Sequence, residues 1–514
     1  MHRLFQFTIC VVVIFAYKVV PAETIWVDSD SESGICGCSV AHSCCGLRNA
    51  IGVAGSGDTI TFRQSMSGST ITLTGGELYI TKNLKIDGDL DNNTTPDITI
   101  RTDSEDRIFR IANALLVSLD GLIISDGGPS PGFYGAGVAI GTGGITTIKN
   151  STIRNNGDWR GAWNLQGGGI HNLGSLYLDN CRVYGNKAQS GGGIYNSHFL
   201  SVINSSIDSN NGKTQGGGIY TSATASVNVS GSEIKYNKLD RLIGDPADPV
   251  GAGVYNLGNF VMNTSVIKGN SITNYSVPGP FFPKYGAAGG LYNLGIATIS
   301  RSAFIGNSAE RGGGVMNVEE MTLENCTFYY NRSDFGGAIF NSTLASGPGT
   351  DEKLIVRNCT IYKNTAVANQ GGGIYFYWAS GPGGERISNT IIAGNDYVTG
   401  GNDCQIVPGR GSLEVNGYNL IEDNSCSPTY SGDPRLGELA QNGGPTETVA
   451  LLAGSRAIDA GGNLYVTGTM TTDQRGSGYP RIKYGRVDIG AFEYHRTTLF
   501  PIRSKDGKTI IITY

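Results

Sequence analysis

The chain has 514 residues, 77 of them glycine, and a formal net charge of −5. Charged residues make up only 16% of it, against about 25% in an average domain, and no basic patch argues for a nucleic-acid partner. Glycine does not recur at every third position, which excludes collagen, and past the N-terminal segment no stretch reaches the roughly 18 apolar residues of a membrane helix. A chain of this length folds as several domains or as one stacked array.

Residues 1–22 have the layout of a secretory signal peptide. Arg3 supplies the positive region, an apolar run extends from Ile9 to Ala16, and Val20-Pro21-Ala22 fits a cleavage site of small residues. The alternative is an uncleaved anchor, for which the apolar run is short. We therefore expect an exported protein that is secreted or held at a cell surface.

Residues 23–62 are predicted to cap the N-terminal end of the fold. Leu47, Ala50, Ile51 and Ala54 have the i, i+3, i+4, i+7 spacing of a short amphipathic helix, which would cover exposed strand edges. Four cysteines precede the helix, and in an exported chain they indicate disulfides: Cys36, Cys38, Cys44 and Cys45. A metal site is the alternative, but the cluster lacks the paired C-x₂-C units of zinc ribbons.

The same segment carries a family resemblance. Cys45-Gly46-Leu47-Arg48-Asn49-Ala50-Ile51 and Gly57-Asp58-Thr59-Ile60-Thr61-Phe62 resemble the N-terminal segment, named for the motif CSLREA, that precedes many exported repeats. Gly46 and Asn49 depart from that motif. Six strands are predicted after it, in about three irregular coils: Ile71–Leu73, Leu78–Ile80, Leu84–Ile86, Ile98–Ile100, Phe109–Ile111 and Leu122–Ile124.

A glycine-rich pattern organises residues 63–432. Each of its nine copies closes on an apolar residue: Val138, Ile170, Ile194, Ile219, Val254, Leu291, Val315, Ile339 and Ile374. The spacings between these residues are 32, 24, 25, 35, 37, 24, 24 and 35, so the period is about 24 and the longer gaps contain insertions. A fixed period in this range is typical of a solenoid.

One unit, residues 175–197, shows how the solenoid is built. Apolar and polar residues alternate in short runs that turn residues separate, and no helical periodicity appears. Three short strands and three turns in about 24 residues predict one coil of a parallel β-helix, with neighbouring coils about 4.8 Å apart.

A row of asparagines repeats with the coils. Each member lies three residues after an apolar residue, and Asn suits the left-handed conformation of tight turns. Stacked coil by coil, the amides are predicted to form a structural ladder; a row of ligand-binding amides is the alternative. The nine are Asn156, Asn186, Asn210, Asn237, Asn270, Asn307, Asn331, Asn364 and Asn395.

Residues 135–400 resemble a known repeat family. Phe304-Ile305-Gly306-Asn307 and Phe328-Tyr329-Tyr330-Asn331 match the FxxN repeat of the chlamydial polymorphic outer-membrane proteins, and Gly336-Gly337-Ala338-Ile339 matches their GGA[I/L] repeat. The resemblance implies a right-handed β-helix displayed at a cell surface. Together these observations predict an all-β fold, a right-handed single-stranded parallel β-helix of about twelve coils, capped at both ends.

Three insertions occupy one slot of the repeat, between a ladder Asn and the next glycine run: residues 157–166, 238–250 and 271–287. They should emerge from one corner, and function usually lies on loops that a rigid scaffold holds. Aromatic residues and Arg in such loops suit a sugar or protein ligand; the alternative is that the aromatics cover the coil beneath. The candidate ligand-binding residues are Trp159, Arg160, Trp163, Asp240, Arg241, Asp245, Tyr275, Phe281, Phe282 and Tyr285.

The later cysteines differ in their surroundings. Cys404 and Cys426 flank a Gly- and Asn-rich stretch and are expected to form a disulfide. Cys181, Cys326 and Cys359 share one repeat position, where a thiol is most simply a small buried hydrophobe.

Residues 433–493 resemble the domain called choice-of-anchor Q, ahead of a tail at 494–514. The matching stretches are Asn442-Gly443-Gly444-Pro445-Thr446, Ser455-Arg456-Ala457-Ile458-Asp459-Ala460-Gly461, Asp473-Gln474-Arg475-Gly476 and Val487-Asp488-Ile489-Gly490-Ala491-Phe492-Glu493. The resemblance implies a C-terminal cap that precedes a surface-anchoring signal in exported bacterial proteins.

Two classes of function remain. A non-catalytic adhesive protein would bind an extracellular glycan or a cell-surface protein through its lateral loops, as a monomer without cofactor or metal. A β-helical polysaccharide lyase or hydrolase is the alternative, but it needs paired carboxylates or a carboxylate cage for calcium, and repeat carboxylates are sparse. A third interpretation is an inert spacer. The adhesive protein is our prediction.

Overall fold

A computed structural model describes residues 22–32, 45–128, 134–157, 165–240, 249–273, 286–342, 354–378, 384–395, 402–409, 413, 415–496, 499–503 and 509–513. The predicted signal peptide and Cys36, Cys38 and Cys44 lie outside these ranges. Within them the chain winds through parallel strands that stack into long sheets, one strand of each sheet per coil. In coil order we call these sheets A, B, C and D.

Sheets A and B each contain 14 strands in the described residues. The strands of sheet A are Thr24–Val27, Thr59–Phe62, Leu84–Asp87, Leu116–Asp120, Ile145–Lys149, Ser175–Asp179, Phe199–Ile203, Ser226–Ser230, Asn259–Asn263, Ile296–Ser300, Met321–Glu324, Leu354–Arg357, Arg386–Ser388 and Val415–Gly417. The strands of sheet B are Thr70–Leu73, Ile98–Thr102, Leu122–Ser125, Thr152–Arg154, Arg182–Tyr184, Ser206–Asp208, Glu233–Lys235, Val266–Lys268, Ala303–Ile305, Thr327–Tyr329, Thr360–Tyr362, Ile391–Ala393, Leu420–Ile421 and Tyr430–Ser431. All six strands predicted ahead of the repeats are among the strands of the β-helix.

Sheet D contains 12 described strands, and sheet C is short. The strands of sheet D are Leu78–Ile80, Phe109–Ile111, Val138–Ile140, Ile170–Asn172, Ile194–Asn196, Ile219–Thr221, Val254–Asn256, Leu291–Asn293, Val315–Asn317, Ile339–Ser342, Ile374–Trp378 and Cys404–Ile406. Sheet C consists of Lys187–Ser190, Asn211–Gln215, Lys238–Asp240 and Ser271–Thr273, and a separate pair, Arg332–Phe335 and Thr365–Gln370, follows it. Among the described residues, two antiparallel hairpins lie outside the coils: Leu436–Ala440 with Thr448–Leu451 and Leu499–Arg503 with Thr509–Thr513.

The core is a column of apolar side chains that each coil renews. Leu176, Leu178, Val183 and Ile194 of one coil are at most 1% exposed, and each pairs in register with an apolar residue of the next coil. The glycine run is required for the close approach of coils. Gly191 has φ +64°, and a Cβ on Gly193 would lie 2.7 Å from the carbonyl oxygen of Gly218 in the next coil.

The predicted asparagines form one continuous ladder between sheets B and C. From Asn156 to Asn395, the Nδ2 of each donates to the Oδ1 of the next at 2.9–3.0 Å. The side chains are at most 3% exposed, and burial of an amide without partners would destabilise the fold. Beyond Asn395 the ladder ends at Asp403, which directly precedes a sheet D strand and whose Oδ1 accepts from the Nδ2 of Asn395 at 2.9 Å.

The N-terminal end is closed by the predicted helix, which spans Leu47–Val53 and buries Leu47, Ala50 and Ile51 against the first coil. An ion pair fixes it, since Arg48 Nη2 lies 2.7 Å from Glu32 Oε2. Burial raises the pKa of Glu32, but the hydrogen bonds from Thr74 and Arg48 outweigh that effect and lower the pKa. Short 3₁₀ turns occur at Gln64–Met66 and Asn463–Tyr465.

Residues 433–493, which we call the C-terminal lobe, lie along the outer face of sheet B. Leu451, Ile489 and Phe492 of the lobe pack against Ile391 and other outward-facing residues of the last coils. Farther back along the sheet, Thr327 Oγ1 donates to Gln474 Oε1 at 2.6 Å and Thr360 Oγ1 accepts from the amide of Ala491 at 2.9 Å. The lobe therefore covers the later coils from the side, a position that the sequence did not predict.

The cysteines follow the two predicted types. Cys404 and Cys426 form a disulfide that joins sheet D to the turn after the penultimate strand of sheet B, which confirms that pairing. Cys45 is also disulfide-bonded. Cys181, Cys326 and Cys359 are buried free thiols, as predicted. Within the described ranges, no helix has the length and apolar character needed to cross a membrane.

Candidate functional site

The three insertions leave and rejoin the coils at one corner, between sheets C and D. Gly157 and Gln166, at the two bases of the first insertion, pair with Lys187 and Ser190 of the next coil. At the second and third insertions, Val250 pairs with Ala287, the returning base of the next loop. The bases therefore form one column, in which the second and third insertions are one coil apart and the first lies three coils before the second. We call this region the loop corner.

Most of the candidate ligand-binding residues lie outside the described residues. These are Trp159, Arg160, Trp163, Arg241, Asp245, Tyr275, Phe281, Phe282 and Tyr285. Asp240 is described, at the end of a sheet C strand, and its carboxylate accepts a hydrogen bond from Asn211 Nδ2 of the preceding coil. That contact gives Asp240 a part in joining adjacent strands of sheet C.

A stack of aromatic rings lies beside the loop corner, on the outer face of sheet D. Successive ring centroids are 4.4–5.5 Å apart and interplanar angles are 7–22°. We call this stack the aromatic column, and its members are Tyr134, His171, Tyr195, Tyr220, Tyr255 and Tyr292. The ring faces contact one another, and two members, His171 and Tyr255, are each 6% exposed.

Burial shifts the pKa of several members of the column. Burial, with a smaller contribution from the nearby Arg107 cation, lowers the pKa of His171 to about 4. Burial also raises the pKa of Tyr255 to about 12, with Tyr292 as the second cause, and it raises the pKa of Tyr220. The hydroxyls of Tyr220 and Tyr255 therefore keep their protons at neutral pH and can serve as hydrogen-bond donors.

Sequence reasoning missed this column, although a signal was present. Four of its tyrosines occupy the same repeat position, directly after the apolar residue that closes a glycine run: Tyr195, Tyr220, Tyr255 and Tyr292. The middle residue of each sheet D strand points away from the core, and parallel pairing in register places these side chains one above another. A tabulation of outward positions by coil would have found it.

One group of carboxylates could hold a cation. Ligand oxygens of Asp89, Asp91 and Asp97 all lie within 4.8 Å of one another. The loop's own hydrogen bonds already use these carboxylates, because Asp89 accepts from the amide of Asn93 at 3.1 Å and Asp97 accepts from that of Leu90 at 2.8 Å. Turn formation alone accounts for their positions.

Comparisons with known proteins give information on the fold. A family model described as "Right handed beta helix region" matches residues 110–294. The crystal structure of pectate lyase Pel9A is similar at 12% sequence identity and a TM-score of 0.42, over 92% of this chain and 98% of that one. No curated protein matches. This chain is a right-handed parallel β-helix, as predicted, and the likeness to the lyase carries no information on activity.

Proposed function

We propose that the protein is an exported, non-catalytic β-helix, either secreted or displayed at a cell surface. It binds an extracellular glycan or a cell-surface protein at the loop corner. The observation that carries this proposal is the common origin of three insertions beside the aromatic column. Binding residues are commonly placed on loops above a rigid scaffold. The scaffold here is rigid, since every coil is joined to the next by main-chain bonds and the asparagine ladder.

The column supplies suitable chemistry for either ligand. Tyrosine combines an apolar ring with a hydroxyl donor, and it loses little conformational entropy on binding because it has few rotatable bonds. The rings of Tyr195 and Tyr220 are already ordered by stacking at 4.4 Å. The Cys404–Cys426 disulfide supports export, because disulfides persist in oxidising compartments.

A loop replacement tests the proposal. Residues 238–250 are exchanged for the sequence of Asn211–Gln215, which fills the same slot in the preceding coil without an insertion. Retention on an immobilised glycan panel and on intact cells is then measured. We expect the replacement to abolish retention while the far-ultraviolet β signal and the melting temperature stay near those of the parent.

Tyr220→Phe tests the column separately, since it keeps the ring stack and removes one hydroxyl. Tyr177→Phe on the outer face of sheet A is the matched control, because Tyr177 is 38% exposed and lies away from the column. Unchanged retention by the loop replacement would contradict the proposal. Release of unsaturated products from acidic polysaccharides, with or without calcium, would favour the lyase instead.

A further inference from the structure

A second concave surface lies at the corner between sheets A and B, away from the loop corner. Its volume is about 410 Å³. The floor consists of the turns at Asn150, Asn180 and Asn204, and the loop residues Thr94, Thr95 and Pro96 form one wall. Arg182 and Glu233, on the outer face of sheet B, complete the lining. We call this surface the amide cleft.

The floor repeats one turn. Asn150, Asn180 and Asn204 have φ of 47°, 52° and 48°, the left-handed region in which Asn is tolerated. Asn180 Nδ2 donates to Asn150 Oδ1 at 2.9 Å and to the carbonyl of Thr94 at 3.2 Å, which fixes the wall to the floor. The exposed amide of Asn204 has no hydrogen-bond partner among the residues that the structure describes.

The later coils show what such an amide row binds. Asn325, Asn358 and Asn389 occupy the equivalent turns, with φ of 52°, 50° and 48°. There the C-terminal lobe covers the row, and Asn325 Nδ2 donates to the carbonyl of Thr472 at 3.0 Å. Asn389 bonds both main-chain groups of Gly462, which belong to two successive peptide units: it donates to the carbonyl at 3.1 Å and accepts from the N–H at 2.8 Å.

The row therefore binds the carbonyl acceptors and N–H donors of amide groups, and each Asn can take either group of a ligand's secondary amide. In the amide cleft this row is open, and hydroxyl groups of Thr94, Thr95, Thr152 and Ser206 surround it. A peptide is usually distinguished by pockets for its apolar side chains, and the lining is almost wholly polar. An acetamido group on a polyhydroxylated ring matches both the amides and the hydroxyls.

Charge disfavours an acidic ligand. The only lining cation among the described residues, Arg182, is paired with Asp208, because its Nε lies 2.8 Å from Asp208 Oδ2. The wall loop carries the carboxylates of Asp89, Asp91 and Asp97. A uronate would meet this negative loop without a free cation to offset it.

We propose that the amide cleft is a binding site for a neutral N-acetylated saccharide, with Asn204 as the residue that recognises the acetamido group. This site is separate from the loop corner. It is also independent of the proposed function, because the loop replacement leaves the cleft intact and a substitution at Asn204 leaves the aromatic column intact.

The test is calorimetric titration of the full chain with di-N-acetylchitobiose. Three other probes are titrated for comparison. Cellobiose has the same linkage without acetamido groups, trigalacturonate is acidic, and N-acetyl-triglycine methylamide offers peptide units alone. We expect binding of the N-acetylated disaccharide and about tenfold weaker binding by Asn204→Gly, since one or two hydrogen bonds are lost. Gly is tolerated there because Gly231, at the same turn of the next coil, has φ +57°.

Asn325→Gly is the matched control, because it removes the same amide beneath the lobe and is expected to leave affinity unchanged. Three results would overturn the proposal: no binding of di-N-acetylchitobiose, equal or tighter binding of any of the other three probes, or full affinity in Asn204→Gly. A melting curve for each variant ensures that every titration is made on folded protein.

Discussion

The early and the later coils contain the same turn at the corner between sheets A and B, but the turn has different surroundings in the two regions. In the early coils the asparagines of this turn line an open cleft, whereas in the later coils Asn325, Asn358 and Asn389 are at most 2% exposed beneath the C-terminal lobe. The local sequence differs little, since Asn180-Cys181 and Asn325-Cys326 are the same dipeptide. Coverage by the lobe, and not the turn itself, therefore decides whether an amide stabilises the fold or remains available to a ligand.

The largest expected difference between the halves is in their response to pH. Burial raises the pKa of Glu493 to about 8 and that of Asp488 to about 6 in the lobe. These two carboxyl groups therefore bind protons more tightly in the folded lobe than in the unfolded chain, where their pKa values are about 4. Its stability should fall as pH rises from about 4 towards 8, by on the order of 5 kcal/mol.

In the open half, stability should depend on pH with the opposite sign and fall as the pH decreases. Burial raises the pKa of Asp208, but the hydrogen bond and charge of Arg182 outweigh it and lower the pKa. This contribution is present above the ordinary Asp value and is lost as pH falls below it. Hydrogen exchange of strands Thr360–Tyr362 and Ser206–Asp208 from about pH 2 to about pH 8 covers both trends, the first between about pH 4 and 8 and the second below about pH 4. Glu493→Gln should flatten the first. Parallel trends in the two strands would contradict the contrast.

Breaking the lobe's buried ion pair should have the next largest effect. Arg475 Nη2 lies 2.6 Å from Asp473 Oδ2, and the side chains are 4% and 0% exposed. Arg475→Met leaves an unpaired buried carboxylate and should cost about 3–5 kcal/mol. Chemical denaturation measures the loss, and exchange should increase in Thr327–Tyr329 but not in Ser206–Asp208. Lys235→Met, at a pair whose lysine and glutamate are 26% and 46% exposed, is the control and should cost far less.

A smaller effect distinguishes the two amide rows directly. Asn389→Gly removes the two hydrogen bonds to Gly462 and should cost about 2 kcal/mol of unfolding free energy. Asn204→Gly removes an exposed amide and should change the stability by less than about 0.5 kcal/mol. The urea denaturation midpoints of the two variants measure this difference. Equal losses of stability would mean that burial beneath the lobe does not determine the effect of removing the amide.

Much of the fold could be predicted because the repeat is local. A glycine run, an apolar residue and an Asn recur within about 24 residues, and parallel pairing converts that recurrence into stacked strands and the ladder from Asn156 to Asn395. The helix Leu47–Val53 followed from its own spacing in the same way. The candidate functional surfaces were harder to predict: the loop corner was predicted from insertion lengths, but the aromatic column and the amide cleft were not.

By itself, the sequence determined the coil, its register and the corner from which the insertions leave, because those features depend on residues within one period of each other. Only the tertiary structure decided which outer surfaces are covered. Thr327 and Gln474, which meet where the lobe lies on sheet B, are 147 residues apart, and no periodicity connects them. The lobe closes one half of an asparagine row and leaves the other half open, because its contacts depend on how the chain folds back along sheet B.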